Sequence, residues 1–138
     1  MSNVSLFRDF LLKEQFHMEE GTLEDGGVFF RSEQSIDNGG SVLLVVAFTP
    51  EQDVVDLKAF GIAKITNPLK KENFHALINE LNADYRFTKF YEDQGEISAS
   101  YSMPLSRNFD PQEIFNKLIM IYRSSADNFP KFMRLVWA

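Results

Sequence analysis

Phe74-His-Ala-Leu-Ile-Asn-Glu-Leu-Asn82, Arg86-Phe-Thr-Lys-Phe90 and Gly95-Glu-Ile-Ser-Ala-Ser-Tyr-Ser-Met-Pro104 follow one another, and the chain then enters Phe109-Asp-Pro-Gln-Glu113. Phe74, Leu77, Ile78 and Leu81 recur at i, i+3, i+4 and i+7, the stripe of an amphipathic helix with Glu72 and His75 on its outer side. Asn67-Pro68 supplies an N-cap and a proline at the first helical position. Tyr85 to Tyr91 reads as a strand, and Glu92-Asp-Gln-Gly95 turns the chain. Ile97, Ala99, Tyr101 and Met103 then alternate with Ser98, Ser100 and Ser102, the period of a half-solvated antiparallel strand stopped by Pro104. Asp110-Pro-Gln-Glu113 reads as a capping box, with Asp110 accepting from the Glu113 amide and Glu113 reaching back to the Asp110 amide. Phe109 and Ile114 stand where a hydrophobic staple would, and the helix that follows buries Ile114, Phe115, Leu118, Ile119 and Tyr122. Asn128-Phe129-Pro130 is expected to break or kink it before a last apolar turn of Phe132, Met133, Val136 and Trp137.

Outward from this block, Val4, Leu6, Phe7, Phe10 and Leu11 place a short amphipathic helix within residues 4–16. Glu24-Asp-Gly-Gly27 and Asp37-Asn-Gly-Gly40 are turn signals. They bound a strand from Val28 to Ile36, and the second turn joins it in a hairpin to a strand from Ser41 to Phe48. A third strand runs from Val54 to Ile65, with small residues in the middle of one parity, as suits a helix lying close against the sheet. The order is α-β-β-β-α-β-β-α. The two strand runs are compatible with two subdomains, but one antiparallel sheet with helices mainly on one face is simpler, giving an α+β fold as a single domain over 1–138.

Composition narrows the function classes. A chain of 138 residues, 44% hydrophobic and with fourteen Phe, can bury a real core. It has no Cys, which removes disulfides, thiolate metal sites and thiol nucleophiles and fits a reducing cytoplasm. The apolar run from Val42 to Phe48 is far shorter than the ~20 residues a membrane span needs, and no basic region precedes an apolar run at the N-terminus. A net charge of −6 argues against a phosphate-binding surface, and Lys64, Lys70 and Lys71 lack the broad basic face and stacking aromatics of a nucleic-acid site. The two histidines, His17 and His75, lie far apart, and His17-Met-Glu-Glu20 offers only a weak metal cluster that reads better as a solvated helix end. The acidic pairs Glu19-Glu20, Glu24-Asp25 and Glu92-Asp93 fall in turns or frayed ends, where no pocket separates their pKa values. No serine sits in a nucleophile elbow, and neither Gly pair leads from a strand into a helix as a phosphate loop would. The expectation is no enzyme, no cofactor, no metal, no nucleic acid and no membrane.

One feature is not accounted for by turns and caps. If Val28, Phe30, Val42, Leu44, Val46, Phe48, Leu57 and Ala59 face the helices, the opposite sheet face carries Phe29, Leu43, Val45, Phe60 and Ile62. An apolar outer face marks an interaction surface unless its own chain covers it, for which the Trp137 tail is the candidate.

The motifs of the C-terminal half also carry a resemblance. Leu81-Asn82, Arg86-Phe87 with Lys89-Phe90, the Gly95 turn, Met103-Pro104-Leu105, Phe109-Asp110-Pro111, Ala126-Asp127 and Phe129-Pro130 resemble the YbjN-like family, within the type III secretion chaperone-like fold. The resemblance covers mainly residues 57–137, and its motifs are caps, turns and strand ends. It implies a bacterial or phage-derived setting, a homodimer and no catalytic residues. The leading functional expectation is therefore a cytoplasmic, non-enzymatic protein-binding module, chaperone-like or regulatory. Its candidate interface is Phe29, Leu43, Val45, Phe60, Ile62 and Trp137. The alternatives are a small enzyme or ligand-binding domain with a pocket between the sheet and the Ile114–Tyr122 helix, and a structural or phage accessory protein.

Overall fold

The Val- and Leu-rich run ending at Phe48 lies inside a sheet, flanked on both sides, as expected for a stretch with apolar residues at both parities. The computed structural model describes residues 2–37, 39–106 and 108–138. Three α-helices, α1 (Asn3–Lys13), α2 (Lys71–Asp84) and α3 (Pro111–Trp137), accompany six strands. These are β1 (Glu19–Thr22), β2 (Val28–Ile36), β3 (Gly40–Phe48), β4 (Val54–Lys64), β5 (Lys89–Asp93) and β6 (Glu96–Pro104). They form one antiparallel sheet in the order β1-β2-β3-β4-β6-β5, with β4 and β6 joining the two strand runs through pairs from Val54↔Pro104 to Lys64↔Glu96. The fold is α+β, and the expected succession of helices and strands is present with one edge strand added.

That strand, β1, has a sequence of Glu-Glu-Gly-Thr with little β propensity. It is held from outside: it pairs with β2 from Glu19↔Arg31 to Thr22↔Val28, and two ion pairs fix its charges. Glu20 meets the Arg8 guanidinium through two 2.7 Å contacts, and Glu19 lies 2.7 Å from Arg31. The Glu19-Glu20 pair thus belongs to a strand rather than to a frayed helix end. The expected turn before β3 includes Asn38, which lies outside the described residues.

Pairing sets the faces. Phe30, Val46, Leu57 and Tyr101 share one cross-strand row, and Leu44, Ala59, Ala99 and Phe90 share the next. Phe7 of α1 packs on Phe30 and Phe48 of this face, and Phe132 of α3 packs on Phe90 and stacks on Phe74 of α2. All three helices are tied to the same side. Ser2 caps α1 by accepting from the Ser5 amide, and Gln52 holds the first turn against the β3–β4 loop by accepting the Val4 amide at 3.0 Å.

Several local expectations change for physical reasons. The Asp110 carboxylate accepts from the Gln112 amide, while the Glu113 amide bonds the Asp110 carbonyl, so the cap is real but not the reciprocal box. Helix α2 continues to Asp84, and the strand expected from Tyr85 begins at Lys89. The Lys89 ammonium donates to the Asn82 and Tyr85 carbonyls, where a cation complements the helix C-terminus. Helix α3 is not broken at Pro130 but runs on to Trp137. Pro inside a helix costs about 3 kcal/mol, and burying a Phe returns about 1.5–3 kcal/mol. Phe129 and Phe132, 7% and 0% exposed, flank the proline and offset it.

Phe129 also explains Gly40, which sequence places in a turn. A Cβ at Gly40 would lie 2.5 Å from the Phe129 ring, so this glycine is needed for close approach of α3 to β3. Gly40→Ala should lower stability in urea denaturation by about 1–3 kcal/mol, the usual cost of overpacking. The loss should shrink in a Phe129→Leu background; an equal loss in both backgrounds would show that the ring is not the obstacle.

Candidate interaction surface

With all three α-helices packed on one side, no helix among the described residues covers the opposite face of the sheet. Phe29 and Arg31 on β2, Leu43 and Val45 on β3, and Lys58 and Phe60 on β4 lie on it, joined by the pairs Arg31↔Val45, Val45↔Lys58 and Leu43↔Phe60. Phe29, Leu43, Val45 and Phe60 are all part-exposed, and each is a residue that parity counting assigns to this face.

The aromatic rings do not stand free. A Cβ on Gly21 would come within 2.4 Å of Phe29, so the ring lies across the edge strand over a residue without a side chain. The Arg31 guanidinium sits 5.6 Å from the Phe29 ring centre, and the Lys58 ammonium lies 5.6 Å from Phe60 and 5.4 Å from Tyr91. Such cation–π contacts are worth about 0.5–1 kcal/mol at exposed sites. They screen the rings from water and leave Leu43 and Val45 as the bare apolar centre.

Two expected members are elsewhere. Ile62 is 2% exposed and lies within the core. The pairing shifts register between Ala59 and Ala63, and Gly61 has φ of +76°, so parity counted from Phe60 fails two residues later. Trp137 is 77% exposed, but it ends α3 in the helix layer, where Lys70 bonds the Val136 carbonyl. It neither joins the open face nor covers it. The serine ladder does lie on that face, but unevenly: Ser98 is buried and accepts from the Gly61 amide, and Ser102 donates to Asp56.

The structure also assembles a titratable cluster that spacing cannot show. His75 Nε2 of α2 lies 2.9 Å from Glu92 Oε1, and Lys71 Nζ lies 3.6 Å from the same oxygen. The Gly95 amide donates to the other Glu92 oxygen. That amide, then His75 and the Lys71 charge, hold the Glu92 carboxyl down at about 2. Glu92 thereby ties α2 to the β5–β6 turn, whose Gln94 and Gly95 both have positive φ. A second anion, Glu20, is held below the usual carboxylate range by its hydrogen bond from Arg8. Among the described residues no group of three or more His, Cys, Asp or Glu is placed to hold a metal ion, and no helix is long and apolar enough to cross a membrane. Between the sheet and α3 lies an open hollow of about 270 Å³ lined by Phe16, Gln34, Leu44, Leu118, Ile119 and Arg123 among others.

Because the Glu92 pKa is depressed on folding, its ionised form stabilises the fold above its ordinary value of 4.5, and this contribution is lost as pH falls toward about 2. Glu92→Gln should be less stable than the parent at pH 7, and the gap should close in urea titrations as pH falls from 4.5 to 2. A gap that persists undiminished at the acid end would show that ionisation is not its source.

No curated protein and no solved structure matches the chain. The family model YbjN, described as "Putative bacterial sensory transduction regulator", matches residues 15–133, from just after α1 to near the end of α3. The chain belongs to the YbjN family.

Proposed function

We propose that this chain is a non-enzymatic protein-binding module, regulatory or chaperone-like, that acts as a homodimer through the open face of its sheet. The observation that carries the reading is the one-sided helix layer, which leaves Phe29, Leu43, Val45 and Phe60 part-exposed on a continuous face. A sheet usually buries such residues against a second layer. Leu43 and Val45 at the centre, ringed by Arg31, Glu33, Asp56 and Lys58, match the apolar-core and polar-rim plan of protein interfaces. The family description, a regulator of sensory transduction, accords with a role in contact rather than in turnover. The acidic balance of the chain favours a basic surface on any partner beyond the dimer.

The hollow beside α3 is where a small ligand would sit if the chain were a binding domain or an enzyme. Its described lining holds one charged group, Arg123, and no carboxylate or histidine. The strongly shifted carboxylate, Glu92, belongs instead to the β5–β6 turn. These placements favour the contact reading.

Light scattering on the eluting protein at micromolar concentration should give the mass of a dimer. Val45→Arg should convert it to a monomer with little change in the thermal melt, since the side chain is on the surface. A monomeric parent protein, or a dimer indifferent to Val45→Arg and Leu43→Glu, would contradict the proposal.

A further inference from the structure

The helix-facing positions of β2 are Val28, Phe30, Ser32, Gln34 and Ile36. Two polar residues stand in a row that is otherwise apolar. Gln34 Nε2 donates to Ser32 Oγ at 2.7 Å, which leaves the Gln34 carbonyl oxygen and one amide hydrogen free among the described residues. Opposite them α3 presents Phe115, Leu118, Ile119 and Tyr122, a stripe at i, i+3, i+4 and i+7. The hollow of about 270 Å³ lies between these rows, and Phe16 and Leu44 complete its apolar walls. The Phe16 ring meets Phe115 edge-on at 5.2 Å.

Arg123, one turn after Ile119, supplies the one charge in this lining. It makes no ion pair among the described residues, and Asp127, one turn further on, is not within ion-pair reach of it. In a chain of net charge −6, a cation without a partner beside an apolar hollow is an unusual placement. The other hollow beside β2, of about 390 Å³, is built differently. His17, Glu19, Arg31 and Glu33 line it with one apolar residue, Leu43, and its Arg31 is already held by Glu19 at 2.7 Å.

We propose that the hollow between β2, β3 and α3 binds a small apolar monocarboxylate, with the carboxylate on the Arg123 guanidinium and the tail against Phe115, Leu118 and Leu44. The sign of the ligand follows from Arg123, whose planar fork takes a carboxylate through two parallel N–H···O bonds. The free amide hydrogen of Gln34 can donate a further bond. The tail follows from the aromatic and aliphatic walls, where apolar surface leaves water. The size follows from the volume: at about 30 Å³ per water-sized group, the hollow holds about ten non-hydrogen atoms. Medium-chain alkyl acids and short aryl acids meet all three conditions. Without a carboxylate or histidine the lining lacks the usual proton-transfer groups, which binding does not need. The hollow lies on the helix side of the sheet, so the inference does not rest on the open face.

The test uses the full chain, labelled with nitrogen-15, and titrates it with octanoate, 3-phenylpropionate and the uncharged control 3-phenylpropan-1-ol. Both acids should move amide signals at Phe16, Gln34, Leu44 and residues 115–123, with a dissociation constant of about 0.1–1 mM, as suits ligands this small. The alcohol should bind more weakly at the same residues. Arg123→Gln, at an exposed position, should weaken both acids about fivefold, the usual upper range for an exposed ion pair, and leave the alcohol unchanged. The proposal is overturned if neither acid binds at about tenfold the expected constant, if the moving signals lie elsewhere, or if Arg123→Gln weakens acid and alcohol alike or neither. It is also overturned if the acids fail to bind and Arg123→Gln changes the light-scattering mass, because a second copy would then occupy the hollow.

Discussion

The structure depends on one helix lying along one side of one sheet. Helix α3 packs over β3, β4 and β6, and its stripe of Ile114, Leu118, Ile121, Phe129 and Phe132 is buried there. Helix α1 fits beside it through Phe10 against Phe115, and α2 through Phe74 against Phe132. A 27-residue helix with an interior proline persists because the rings on either side of the proline have nowhere better to go. Once α3 claims one face, the other helices join it there, and the opposite face is left to water or to a partner.

That asymmetry decides what the rest of the sequence must do. The exposed face keeps its aromatic rings lying down or beneath cations, with Phe29 over Gly21 and Lys58 over Phe60 and Tyr91. The two edges face the general hazard of unpaired backbone and meet it unequally. Asn82 bonds the Phe90 backbone of β5, whereas β1 pairs only with Val28 to Arg31 of β2. Within the helix layer, the polar groups of Thr88, Ser124 and Asn128 are buried but bonded, Thr88 to Ser124 and Asn128 to Tyr85. The buried side chains have no unpartnered nitrogen or oxygen among the described residues.

Much of this could be read from sequence wherever the signal was local. The α2 stripe, the Ser-faced strand β6, the cap at Asp110 and the hairpin strands β2 and β3 rest on neighbours within a few residues. So do four members of the open face, Phe29, Leu43, Val45 and Phe60, since a strand without bulges keeps its parity. What escaped was non-local. β1 has no propensity of its own and exists through Arg8, Arg31 and the β2 ladder. Ile62 crosses a bulge that no residue before Gly61 announces. His75 and Glu92 meet only because α2 folds back on β5. The hollows beside β2 are built from residues 16–17, strands β1 to β3 and α3, and no spacing rule joins those segments.

The proposed dimer would place a second copy on the open sheet face. Hydroxyl-radical footprinting across a dilution series reads it directly, because modification rates report side-chain exposure residue by residue. Phe29, Leu43, Val45 and Phe60 should become protected together as the protein associates, while Leu12 and Leu69, exposed on the helix side, should not change. Association that protects the helix layer and leaves these four residues as reactive as in the dilute protein would contradict it.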